Sequence, residues 1–178
     1  EVKSSFIKKP GTLITKRTNL NNNRIITGIS STHNDAKVTL VGVKDRPGVA
    51  ASIFKPLSIN SINVDMVVQN ISPNGKETDL TFTIKAEDLN KTKKIIQDNR
   101  SIKFKKVLYQ KGVSKISIIG VGMITTPGVT FRMFQALANK RINIQVISTS
   151  EIKISVLINK KDAKKALVTL HKEFKLQE

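Results

Sequence analysis

One stretch of this chain occurs twice. Pro47-Gly48-Val49 recurs as Pro127-Gly128-Val129, Phe54 and Leu57 recur as Phe134 and Leu137, and Ile62-Asn63-Val64 recurs as Ile142-Asn143-Ile144. A short apolar, β-branched run precedes each copy, Val38 to Val43 in one and Ile116 to Val121 in the other. A solenoid generally needs three or more repeats, so two copies of one supersecondary unit point to two paired modules. Modules of this kind usually bind something between them.

The pattern around each copy gives the fold. In the first, Val38–Val43 reads as a buried strand, Asp45-Arg46-Pro47-Gly48 as a turn, and Val49, Ala50, Ile53, Phe54 and Leu57 as one helical face. Strands follow over 63–72 and 78–84, joined by a hairpin-like turn at Pro73-Asn74-Gly75, then a helix over 86–99 and a strand over 102–109. Glu87 and Asp88 favour that helix N-terminus. The order is βαββαβ, the ferredoxin-like arrangement. The second copy has a strand over 115–121 and a helix opened by Thr126 as N-cap and Pro127 at its first position. That helix turns Phe131, Phe134, Leu137 and Ala138 inward. Strands over 144–150 and 153–158 and a helix over 162–174 complete it.

This copy lacks a fourth strand, which leaves an edge and an apolar face open. The one unassigned strand-like segment, residues 24–29, lies ahead of the first copy, so the sequence predicts that it completes the second sheet. The expected division is a connector over 1–24, an inserted first module over 37–110, and a second module from 25–30 plus 114–178. The class is α+β: two ferredoxin-like domains, antiparallel sheets with helices on one face. Pro56, inside the first helix, predicts a kink or an early end.

Bulk properties restrict function. The net charge is +18, but 25 of the 31 basic residues are lysines spread along the chain. That reads as a solvated basic surface rather than a phosphate-binding face. Cysteine is absent, which excludes disulfides, thiolate metal sites and cysteine nucleophiles. No apolar run reaches the roughly 18 residues of a membrane span. The start has neither a signal-peptide core nor an initiator Met, so the chain is expected to begin inside a longer protein. No phosphate-binding loop or dinucleotide fingerprint is present, His33 and His171 stand alone, and Glu151 is a lone carboxylate. No catalytic site or metal site is expected.

Ligand binding is better supported. In each copy a strand ends in Pro-Gly and a helix begins at once, and a helix N-terminus offers unpaired N–H groups to a carboxylate. Gly48 and Gly128 allow close approach, Asp45 suits an ammonium group, and Asn63 and Asn143 can add neutral hydrogen bonds. The pattern of cation beside anion fits an α-amino acid. The alternative, that Pro-Gly merely ends strands and caps helices, is weakened by its recurrence.

Several stretches carry a family likeness: Val2-Lys3-Ser4-Ser5-Phe6, Gly11 to Thr15, Ile26-Thr27-Gly28-Ile29, Val41 to Gly48, Asn63 to Asn70 and, most specifically, Ile144 to Val156. With them the chain resembles the C-terminal regulatory region of the aspartate kinase family, which carries two ACT domains. The resemblance implies an allosteric, cytoplasmic module that binds lysine and/or threonine. It implies pairing into a homodimer through the ACT domains, and a kinase domain or catalytic subunit as partner. ATP and Mg would belong to that kinase domain, with no cofactor here and no catalysis by this chain alone. The implied effector cradle is Asp45, Gly48, Val49, Ala50, Asn63 and Gln69, closed by Asn143 and Ile144 of the other copy. Ser72, Thr130 and Ser150 match positions of effector response. Pro56, the basic surface and Val49 depart from the family pattern. The rival readings are an RRM-like nucleic-acid binder, disfavoured by 4% aromatic content, and a dimerisation module without ligand.

Overall fold

The computed structural model describes residues 2, 3, 6, 10, 11, 25–72 and 75–176. Most of the connector expected over 1–24, and Pro73-Asn74 of the hairpin turn, lie outside the described residues. The elements are β1 (Gly28–Ser31), β2 (Asp35–Lys44), α1 (Val49–Ile59), β3 (Val64–Ile71), β4 (Glu77–Lys85), α2 (Leu89–Asp98), β5 (Lys106–Ile119), α3 (Val129–Asn139), β6 (Ile144–Ser150), β7 (Lys153–Asn159) and α4 (Ala163–Glu173). The strands form one antiparallel sheet of order β3-β4-β2-β5-β7-β6, and β1 pairs with β5 off this path. Within it are two ferredoxin-like sheets, β5-β2-β4-β3 and β1-β5-β7-β6, which share β5.

That sharing corrects the sequence reading. The strands expected over 102–109 and 115–121 are one strand, and residues 102–105 lie outside it. Partners are available along its whole length: β2 pairs with Lys106 to Val113, after which β1 pairs with Ile116 to Ile119 and β7 with Val113 to Ile119. Where one sheet hands over to the other, Gly112 (φ 72°) is an extra residue, since Asp35 pairs with Val113 and Ala36 with Lys111. The bulge switches side-chain parity. Val107 and Tyr109 face the first helical core, while Ile116 and Ile118 face the second. Without the switch, the two helix pairs would lie on opposite faces of β5.

Each module has its own core. Leu40, Ile53, Leu57, Leu80, Phe82 and Ile96 centre the first, and Ile116, Ile118, Met133, Leu137, Val156 and Leu170 the second. On the opposite, helix-free face, Met66 of β3, Val113 of β5 and Leu157 of β7 are buried together, with Val146 of β6 beside them. The sheet therefore coils enough for its two end strands to meet.

The segment before β1 is held by close backbone packing. Thr27 N–H donates to the Ile119 carbonyl at 2.8 Å, and Ile26 is buried in the second core. Gly120 and Gly122 lie against Ile25 and Ile26, so that a Cβ on Gly122 would sit 2.6 Å from Ile25 Cα.

Pro56 neither ends α1 nor leaves a group unpaired. It cannot donate to the Ser52 carbonyl one turn back, and Asn99 Nδ2 reaches that oxygen at 3.4 Å instead. At α3, the expected N-cap Thr126 and helical Pro127 are both outside the helix, which begins at Val129 with Gly128 (φ 87°) as cap. Phe131 is 67% exposed and Ala138 is exposed, contrary to expectation; Met133 and Ala136 take the inward positions because the buried stripe runs Val129, Met133, Ala136 and Leu137 at helical spacing, which leaves Phe131 and Ala138 off it.

Candidate functional site

The first Pro-Gly turn is built by the end of β2. Gly42 (φ 66°) forms a bulge that Asp79 Oδ1 holds by accepting the Gly42 N–H at 2.8 Å. The chain then turns at Asp45, whose N–H donates to the Lys76 carbonyl at 3.0 Å. The Asp45 side chain accepts no hydrogen bond and makes no ion pair among the described residues, and the residue is partly exposed. Gly48 (φ 82°) caps α1, no side chain caps that helix, and the space above its Cα is open. Val49 is buried at the helix start and Ala50 is half-buried. A free carboxylate thus stands three residues before the cap of α1, where the Val49 N–H is taken by the Arg46 carbonyl at 3.1 Å and the Ala50 and Ala51 N–H groups remain, with a partial positive charge, at the helix end.

The remaining candidates are more scattered. Asn63 is exposed just before β3 and lines a cavity of about 610 Å3 with Phe54, Ser58 and Val67. Val49 lines a separate cavity of about 180 Å3 with Lys44, Arg46 and Lys103. Gln69 is exposed on the edge strand β3. Asn143 is exposed before β6, and Ile144 packs against the second core. Ser72 works within its hairpin, where its Oγ accepts the Glu77 N–H at 3.1 Å. Thr130 is exposed at the second position of α3. Ser150, at the end of β6, lines a polar cavity of about 380 Å3 with Asp65, Lys115 and Lys153. Asn63, Val49 and Ser150 therefore line three separate cavities within one chain.

The two cradles are not equivalent. Counting from the shared Pro-Gly, Thr125 stands where Asp45 does, and a 3-10 turn, Val121–Met123, lengthens the connection from strand to helix. Thr125 Oγ1 donates to the Gly122 carbonyl at 3.5 Å. Only the first cradle offers a carboxylate for an ammonium group.

Several groups that join the modules escaped sequence reasoning. Lys115, 9% exposed, pairs through Nζ with Asp65 on β3. Lys37 Nζ donates to Gln145 Oε1 at 2.8 Å, and burial lowers the pKa of that lysine. Neither pair has a signature within one strand, because each spans the two modules. They also cover the sheet face that an RRM uses: Val113, Lys115 and Ser117 of β5 are buried there. Among the described residues no helix is long and apolar enough to cross a membrane, and no cluster of three potential metal ligands occurs.

Known proteins match this geometry. The ACT domain model fits residues 38–99 and 116–174, one match in each module. An aspartate kinase of Pseudomonas fluorescens is 44% identical over 97% of this chain, and the Helicobacter pylori aspartokinase 43% identical over 99%. The chain spans less than half the length of these relatives, 42% and 44%. The regulatory subunit of aspartate kinase from Thermus thermophilus superposes with a TM-score of 0.76 at 34% identity, covering 85% of this chain and 99% of that one. Two ferredoxin-like modules on a shared strand, each matching the ACT model, and near-complete coverage of a solved regulatory subunit lead to one assignment: this chain belongs to the ACT domain family, as the regulatory region of an aspartate kinase.

Proposed function

We propose that the chain is the amino-acid-sensing part of an aspartate kinase, binding lysine and/or threonine at ACT interfaces to feedback-control the phosphorylation of L-aspartate by ATP. The observation that carries this reading is the Asp45 carboxylate, without a partner among the described residues, beside the uncapped α1 N-terminus at Gly48. The effector's ammonium group would meet Asp45 and its carboxylate the first-turn amides. Asn63 and Gln69 are exposed at and along the neighbouring strand. In this reading Asn143 and Ile144 close the cradle from the second module of a partner chain in a homodimer. ATP and Mg act in the kinase domain or catalytic subunit of this cytoplasmic enzyme.

The effector shifts the kinase only by its differential affinity for two arrangements of the modules, and a coupling of about 1–3 kcal/mol suffices for strong inhibition. The test is calorimetric titration of the chain with lysine, threonine and both, with sedimentation alongside. Saturable binding that tightens the dimer, and about tenfold weaker binding by Asp45→Asn, is expected. Heat that is unchanged in Asp45→Asn would move the site elsewhere. No heat from either amino acid would leave a dimerisation module.

A further inference from the structure

The outer face of the second module carries an open groove of about 810 Å3 between α3 and α4. Five lysines flank it: Lys140, Lys161, Lys164, Lys165 and Lys172. None of their ammonium groups makes an ion pair or hydrogen bond among the described residues. The one carboxylate in the lining, Glu173, is already taken, since Arg132 Nε donates to its Oε1 at 2.9 Å. Arg132 is itself fixed, its guanidinium 5.0 Å from the centre of the Phe174 ring. The groove therefore holds five positive charges and no free negative one.

The first module shows the contrast. On its corresponding helix two of the three lysines are engaged: Lys91 Nζ donates to the Asn60 carbonyl at 2.6 Å and Lys93 sits 5.1 Å over the Tyr109 ring, whereas Lys94 makes no such contact among the described residues. Lys161 lies in the 3-10 turn Lys160–Asp162 just ahead of α4 and Lys164 and Lys165 in its first turn, so like charges crowd this end of the groove. No side chain among the described residues pairs with these ammonium groups.

Two features decide the kind of anion. The groove also contains an apolar strip, with Val168 46% exposed and Ala136 beneath it. A phosphate backbone gains nothing from such a strip, whereas a polypeptide can bury an apolar side chain on it. Lysines can meet phosphates, but the groove lacks the arginine fork and the aromatic rings that nucleic-acid recognition adds to such contacts. We propose that the α3–α4 groove is a docking surface for an acidic protein segment, which sets an apolar anchor on Val168 and its carboxylates on the five lysines.

Fluorescence anisotropy of the whole chain tests this, in salt of about 0.15 M, where exposed charges are screened beyond roughly 8 Å. The probe is a labelled acidic amphipathic peptide, glutamates with leucine at helical spacing. Its competitors are an all-glutamate peptide and an oligouridylate of equal charge. The amphipathic peptide is expected to bind about tenfold tighter than either, about 1.4 kcal/mol. Joint replacement Lys164→Glu and Lys165→Glu should weaken it about tenfold or more, as should Lys140→Glu with Lys172→Glu, while Lys91→Glu leaves it unchanged. Thermal melts establish that the variants fold. Absence of peptide binding, preference for the oligonucleotide, or binding by both folded double variants as tight as by the unaltered chain overturns the proposal.

Discussion

Pro56 shows how one residue's defect can be covered by another far along the chain. The Ser52 carbonyl loses its helical partner and gains Asn99 Nδ2. Asn99→Ala is therefore expected to cost about 1 kcal/mol, the worth of one such bond. Asn99 also accepts from Ser101, so a double-mutant cycle is needed to isolate the helix contact. In a Pro56→Ala background the helix backbone supplies the missing N–H and the cost should shrink; an identical cost in both backgrounds, read from denaturant melts, would remove Asn99 from this role. Tyr109 is the opposite case, a buried hydroxyl with no partner among the described residues. Burial pushes its pKa up from the ordinary value. The protonated phenol is thus favoured in the folded state, so its contribution is complete below about pH 10, the unfolded value, and is lost as pH rises through the folded pKa. Tyr109→Phe removes the unpaired hydroxyl and keeps the ring under Lys93. Stability at neutral pH should stay level or rise by about 1 kcal/mol, and the decline above pH 10 should become shallower.

Among the elements, those that satisfy themselves locally were legible in the sequence. Alternation in Leu80, Phe82 and Ile84 and the apolar face of Ile53 and Leu57 lie as read, because each side chain meets a core within its own module. The helix-free face was not legible. Lys115 and Asp65 are 50 residues apart, and nothing within either strand reports the other. The fused strand β5 escaped notice for a related reason: polar Lys111 and Gly112 suggest a loop, yet backbone pairing with β2 continues past them. The candidate site was half legible. The Pro-Gly cap and Asp45 stand out locally, whereas the Gly42 bulge and its Asp79 hold depend on pairing between β2 and β4. The N-terminal contribution to the second sheet can be checked through its glycines. Gly120→Ala brings a Cβ against the Ile25 carbonyl, backbone that cannot swing aside, and is expected to cost about 1–3 kcal/mol. Gly28→Ala meets open space and should change little. Equal melting of the two variants would show that residues 25–27 do not pack as described.

Across the whole molecule, the modules are joined by a strand, a buried cluster and an ion pair. Asp65→Asn leaves the Lys115 ammonium short of its counter-charge at a site where Lys115 is nearly enclosed. Because the Asp65 side chain is half exposed, the expected loss is about 1–2 kcal/mol, below that of a fully buried pair. The loss should appear in one shared unfolding transition; two separate transitions in hydrogen exchange would mean that β5 does not couple the modules. The position of β1 has a consequence for the order of elements along the chain. Ile25, Ile29 and Leu176 pack on the same core, so β1 and the residues after α4 border one cluster. Moved behind residue 176, residues 25–31 would turn the chain into a plain tandem duplicate, each copy followed by its own closing strand. The observed element order is related to that duplicate by a circular permutation, and a chain reordered to undo it is expected to keep the same strand pairings.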